Sequence, residues 1–70
     1  MTPVDLDNWF SYHAPTGTQN EDYVAIRNAA KAFANVVLAR TPPCADQTVA
    51  IRKIRESVMI ANASIACGGR

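Results

Sequence analysis

Pro42-Pro43 is the feature that most constrains the fold. Proline lacks a backbone N–H and disfavours a helical residue before it, so no helix runs through this pair. On either side the apolar residues step by three and four. Before the pair they are Tyr23, Ile26, Ala30, Phe33 and Val37; after it, Ile51, Ile54, Val58, Ala61 and Ile65. Both are helical stripes. Thr18-Gln19-Asn20-Glu21 has the form of a capping box. Glu21 and Asp22 suit the positive end of a helix, and Arg40 suits the negative end. Cys44 or Asp46 caps the second helix, and Gly68-Gly69 ends it. The expected fold is all-α: an antiparallel two-helix hairpin in a single domain, with helix one over 18–41 and helix two over 44–67. Residues 1–17 read as an irregular arm, with one turn of helix near Val4–Trp9.

Seventy residues hide only about 60% of their unfolded surface, so a lone domain of this length is marginal. The usual reinforcements are a disulfide, a metal or oligomerisation. Cys44 and Cys67 lie 23 positions apart, at opposite ends of the second helix. That is roughly 34 Å, far beyond disulfide reach. Two cysteines and one distant histidine do not compose a zinc site. Oligomerisation remains. Val24, Val36 and Leu38 lie off the first stripe, and Met59, Ile60 and Ala63 lie off the second. A monomer would expose these second faces, which argues for a homo-oligomer of hairpins.

Function classes narrow in the same way. A net charge of +1 carries no DNA-binding footprint. There is no long apolar run and no secretory signal pattern, so the reading is a soluble intracellular protein with no membrane role. No nucleophile–base set, phosphate loop, cofactor motif or metal-ligand cluster is present, so no enzyme is expected. Asp5 and Asp7 read as a solvated terminus.

The stretch WFSYHAPTG, residues 9–17, holds Trp9, Phe10, Tyr12 and His13 just before a helix carrying Arg27 and Lys31. These two cations share one face, and neither has an acid at helical spacing. Rings stack on bases, and a guanidinium binds phosphate through paired hydrogen bonds. Tyr12, His13, Arg27 and Lys31 therefore make a candidate nucleotide set. The plainer alternative leaves the cations solvated and uses Trp9 and Phe10 to cover the entry of the first helix. Arg52, Lys53 and Arg55 read as a solvated face, with Glu56 able to pair with Arg52. Asn62 either sets register across an oligomer axis or reads a ligand base. Gly68, Gly69 and Arg70 form either a frayed tail or an anion pocket shared between copies.

Three blocks carry a resemblance: F-S-Y-H-A-P-T-G, then Y-V-A-I-R-N-A-A-K-A-F-A, then S-V-M-I-A-N-A-S-I-A. Together they resemble the phage anti-CBASS cyclic-oligonucleotide sponges over residues 10 to 67. The resemblance implies a helical-hairpin protomer in a compact homohexamer, without catalysis, acting in the host bacterial cytoplasm. Such proteins sequester cyclic nucleotide signals so that the immune effector is not activated. It implies cyclic dinucleotides such as cyclic GMP-AMP between paired protomers, with Tyr12 matching the residue that stacks and Arg27 matching the residue that holds phosphate. It implies cyclic trinucleotides at a separate pocket, where Asn62 matches. The family pattern often has arginine where this chain has Cys67, with Arg70 the substitute across Gly68-Gly69. Ile60 stands in place of a tryptophan. The rival readings are a non-catalytic adaptor hairpin that binds a protein, and a sponge for cyclic ADP-ribose-type signals.

Overall fold

The computed structural model describes all 70 residues as three helices with no strand: α1 (Pro3–Trp9), α2 (Gln19–Arg40) and α3 (Ala45–Ala66). The hairpin of α2 and α3 is as expected. The arm is more ordered than expected, because its first half is α1. Thr2 is an extended N-cap whose hydroxyl accepts the Asp5 N–H, while the Asp5 carboxylate accepts the Thr2 N–H. Pro3 opens the helix where its missing N–H costs nothing. Asp5 is thus a capping residue rather than a solvated acid.

The cap expected at Thr18 does not form. A capping residue needs extended backbone, and Thr18 has φ −89° and ψ 8°. Gly17, at φ +55°, turns the chain just before it. The Gln19 side-chain carbonyl instead accepts the Thr16 N–H at 3.0 Å. At the turn between the long helices, Cys44 is the N-cap of α3, its sulfur accepting the Gln47 N–H.

Gln47 is the one buried residue. Its side-chain amide donates to Leu38 O at 3.3 Å, Thr41 O at 3.1 Å and Thr41 Oγ1 at 3.1 Å. These satisfy carbonyls that the end of α2 leaves free. Gln47→Ala orphans them and is expected to cost about 2 kcal/mol. A melting temperature roughly 10 °C lower would register this.

The α3 stripe faces α2 as expected, with Ile51, Ile54, Val58, Ala61 and Ile65 half-buried. On α2 one position differs. The half-buried apolar residues are Tyr23, Ile26, Ala30, Ala34 and Val37, and Phe33 is 59% exposed. The small Ala30 and Ala34 let the helix backbones approach, and a ring between them would wedge the pair apart. Phe33 sits on the rim of an apolar groove beside Ile54 and Val58. Glu56 pairs with Lys53 at 3.2 Å rather than with Arg52. Both partners are exposed, so this pair contributes little.

No apolar side chain is buried. The radius of gyration is 15.1 Å, against about 11 Å for a compact chain of this length. The accessible surface is 5538 Å², and a compact monomer of 7.6 kDa would expose about 4,300 Å². The molecule is a slab 15 Å thick, against about 10–12 Å for a single helix with side chains. No helix is long and apolar enough to cross a membrane.

Candidate functional site

One face of α2 carries Asn20, Tyr23, Val24 and Arg27, spaced at three, four and seven. One face of α3 carries Met59, Asn62, Ala63 and Ala66 at the same spacing. Antiparallel packing lays the two faces along an open cleft of about 670 Å³. The register is set at both ends. Gln19 Nε2 donates to Ile65 O at 3.5 Å, and Gln47 Nε2 donates to Leu38 O at 3.3 Å. This register places Asn62 opposite Tyr23, one helical turn from Arg27.

Two polar groups in this cleft lack partners within the chain. Arg27 forms no ion pair, since the molecule's two salt bridges are Lys53–Glu56 and Arg70–Asp5. Asn62 Oδ1 is buried and receives no hydrogen bond. Lys31 is exposed one turn further along α2 and does not line the cleft.

A second cleft, of about 480 Å³, lies where α1 meets the end of α3. Trp9, Phe10, Ile60, Cys67, Gly69 and Arg70 line it. Trp9 packs at the C-terminal end of α3, which the antiparallel hairpin sets beside the entry of α2, and its Nε1 donates to Arg70 O at 2.7 Å. Asn8 Nδ2 donates to Cys67 O at 3.1 Å. The Gly68 N–H reaches Ile65 O, and the Gly69 N–H reaches Ser64 O. Both glycines have positive φ, +66° and +78°, which lets the tail fold back. The tail is therefore anchored rather than frayed, and the Arg70 guanidinium lies 3.8 Å from Asp5.

Within one protomer, Asn62 lies in the cleft that holds Arg27, while Gly69 and Arg70 line the cleft that holds Trp9. His13 is half-buried, and its Nε2 donates to Asn8 O at 2.6 Å. Its ring holds the segment after α1 in place. Tyr12 is 88% exposed and lines neither cleft. Asn20 and Tyr23 were not expected beside Arg27. Their spacing of seven and four from it was the available signal.

Asp5 ties α1 to the tail. Its carboxyl sits below its ordinary pKa of 3.8, chiefly because the Thr2 N–H donates to it. The Thr2 hydroxyl adds to this, and Arg70 adds less. A carboxylate with a lowered folded pKa stabilises above its unfolded value, and that contribution is lost as pH falls. Acidification below about pH 4 is therefore expected to release the α1 cap. The Asp5 and Leu6 amide resonances should then move toward unfolded positions, while those of α2 and α3 stay.

No group of three or more His, Cys, Asp or Glu is placed to hold a metal, and both cysteines are free. A protein-family model described as Acb2/Tad1, hairpin domain, matches residues 2–66. The chain belongs to this family. The Acb2/Tad1 hairpin family comprises the anti-CBASS cyclic-oligonucleotide sponges, which bind and sequester rather than catalyse. The matched span includes α1 as well as α2 and α3, so both clefts lie within the Acb2/Tad1 domain. No curated protein and no solved structure matches the chain.

Proposed function

We propose that the protein is a phage immune-evasion sponge for cyclic dinucleotides such as cyclic GMP-AMP, keeping them from the host CBASS effector in the bacterial cytoplasm. The observation that carries this is the Arg27 guanidinium, free of any carboxylate in an open cleft of a sponge-family hairpin. Arg27 holds phosphate, and Lys31 extends the positive face along α2. Tyr12 stacks on a base. A ring this exposed needs a second surface to make a sandwich, so the site joins two protomers.

The extended slab supports assembly. Its surface of 5538 Å² exceeds that of a compact monomer by about 1,200 Å². A standard interface takes about 800 Å² from each partner. We read the assembly as a homohexamer, as the family suggests. A two-fold arrangement presents a nearly symmetric ligand with two copies of Tyr12 and two of Arg27. Each stacked base contributes about 1–3 kcal/mol, and each charge-assisted hydrogen bond about 1.5–3 kcal/mol. Nanomolar binding needs ~12 kcal/mol, which a rigid oligomer brings within reach.

The dinucleotide reading is favoured over the trinucleotide one by the placement of Arg70. Its guanidinium is drawn to Asp5, and Cys67 stands where the family pattern often has arginine. The test is incubation of the protein with cyclic di- and trinucleotides and cyclic ADP-ribose-type molecules, removal of unbound ligand, and mass spectrometry of what heat releases. Recovery of cyclic GMP-AMP at a fixed ratio to protomer is the expected result. Recovery of no nucleotide would favour the adaptor hairpin instead.

A further inference from the structure

The net charge of +1 is not spread evenly along the molecule. The middle of the hairpin, residues 23–39 and 47–66, holds Arg27, Lys31, Arg52, Lys53 and Arg55 against Glu56 alone, a balance of +4. The remaining segments hold five acids against Arg40 and Arg70, a balance of −3. Those acids lie on α1 and in the first turns of α2 and α3. Four of the middle cations share one side of the slab. Met59 lines both the Arg27 cleft and a neighbouring hollow of about 330 Å³ that Arg52 and Arg55 line. Because α2 and α3 run antiparallel, the step from Arg27 to Lys31 and the step from Met59 to Arg55 go the same way along the slab. Arg52 continues that row.

Glu56 also borders this hollow, but its carboxylate is drawn to Lys53 at 3.2 Å. Arg27, Lys31, Arg52 and Arg55 form no ion pair, and neither Glu21 nor Asp22 lines the Arg27 cleft. One helical turn along and one helix spacing across put Arg55 roughly 10 Å from Arg27. The Debye length is about 10 Å at 0.1 M salt and about 30 Å at 0.01 M. The fields of the four cations therefore add in front of Arg27. We propose that this face is an electrostatic collector for anionic nucleotides, on which Arg52 and Arg55 speed the ligand's arrival at Arg27 without holding it once bound. The proposal rests on the sponge reading. A sponge competes with an effector for each signal molecule, so its rate of capture counts as well as its affinity. Clustered charge of one sign raises association rates by about 10–1,000-fold. Charges at the rim of a site act mainly on that rate and on its salt dependence.

The test is stopped-flow kinetics of the intact protein with a fluorescent analogue of cyclic GMP-AMP. The double variant Arg52→Glu, Arg55→Glu is expected to associate about tenfold more slowly than wild type at 0.01 M salt. At 1 M salt, where the Debye length is about 3 Å, the gap should close to about twofold or less. Its dissociation rate, helix content and assembly mass should match wild type. Arg40→Glu makes the same charge change at the turn between the long helices, and it should slow association less than Arg55→Glu does. Equal slowing by these two single variants would trace the effect to net charge and overturn the proposal. Wild-type association by the double variant at low salt overturns it and leaves the sponge reading standing. A raised dissociation rate overturns it by placing the arginines in contact with bound ligand, and a smaller assembly mass does so by placing them between copies. Absence of nucleotide binding by the wild-type protein removes the sponge reading, and this proposal with it.

Discussion

Arg27→Ala is expected to weaken cyclic GMP-AMP binding by a hundredfold or more. A charge-assisted hydrogen bond contributes about 1.5–3 kcal/mol. A two-fold ligand held by two protomers loses that contribution twice for one substitution. Every 1.4 kcal/mol is about a factor of ten, so two lost contacts exceed two decades. The fold should survive the change, because Arg27 has no ionic partner to orphan. An unchanged melting temperature of the free protein is the control. Arg27→Lys keeps the charge but loses the planar fork, so its affinity should fall between the two. Tyr12→Ala should also weaken binding, through lost stacking. Calorimetry reads all three. Wild-type affinity in both alanine variants would show that the ligand is held elsewhere.

Phe33→Asp should leave the helices formed and reduce the mass of the assembly. Phe33 is among the largest exposed apolar side chains of α2 and sits beside an apolar groove of about 600 Å³. Within one protomer it buries little, so the substitution costs the isolated hairpin little. Between copies the same position would place a carboxylate in an apolar interface, where a charge without a partner costs several kcal/mol. Light scattering at fixed concentration gives the mass, and circular dichroism gives the helix content. Arg55→Glu, on the solvated face, should change neither. If Phe33→Asp retains wild-type mass, this groove is not the surface on which copies meet.

Much of the hairpin is legible in the sequence, because its signals are local. Pro42-Pro43 and the α3 stripe lead directly to the turn and the packed face. The misreadings occur where a local string has two outcomes. Thr18-Gln19-Asn20-Glu21 has the letters of a capping box, but capping depends on backbone angles that Gly17 takes away. Phe33 and Ala34 fit a helical stripe almost equally well, and close helix approach decides for alanine. A seven-residue helix is too short to declare a period. Even so, Thr2, Pro3 and Asp5 spelled out the start of α1. The candidate site is legible only in part. Arg27 stands out because no acid is spaced to reach it. Its neighbour Asn62 is 35 positions away, and only the helix register brings them together. The anchoring of the tail by Asn8 and Trp9 spans nearly the whole chain, so no local pattern announces it.

The contact between Trp9 and the folded-back tail has an optical consequence. Trp9 is the chain's only tryptophan, and its indole N–H is committed to Arg70 O. Emission from that single half-exposed ring therefore reports on the surroundings of the contact between α1 and the tail. A shift in its colour on adding a ligand would reveal a change at that contact without any label. A constant colour during binding would locate the change elsewhere in the slab.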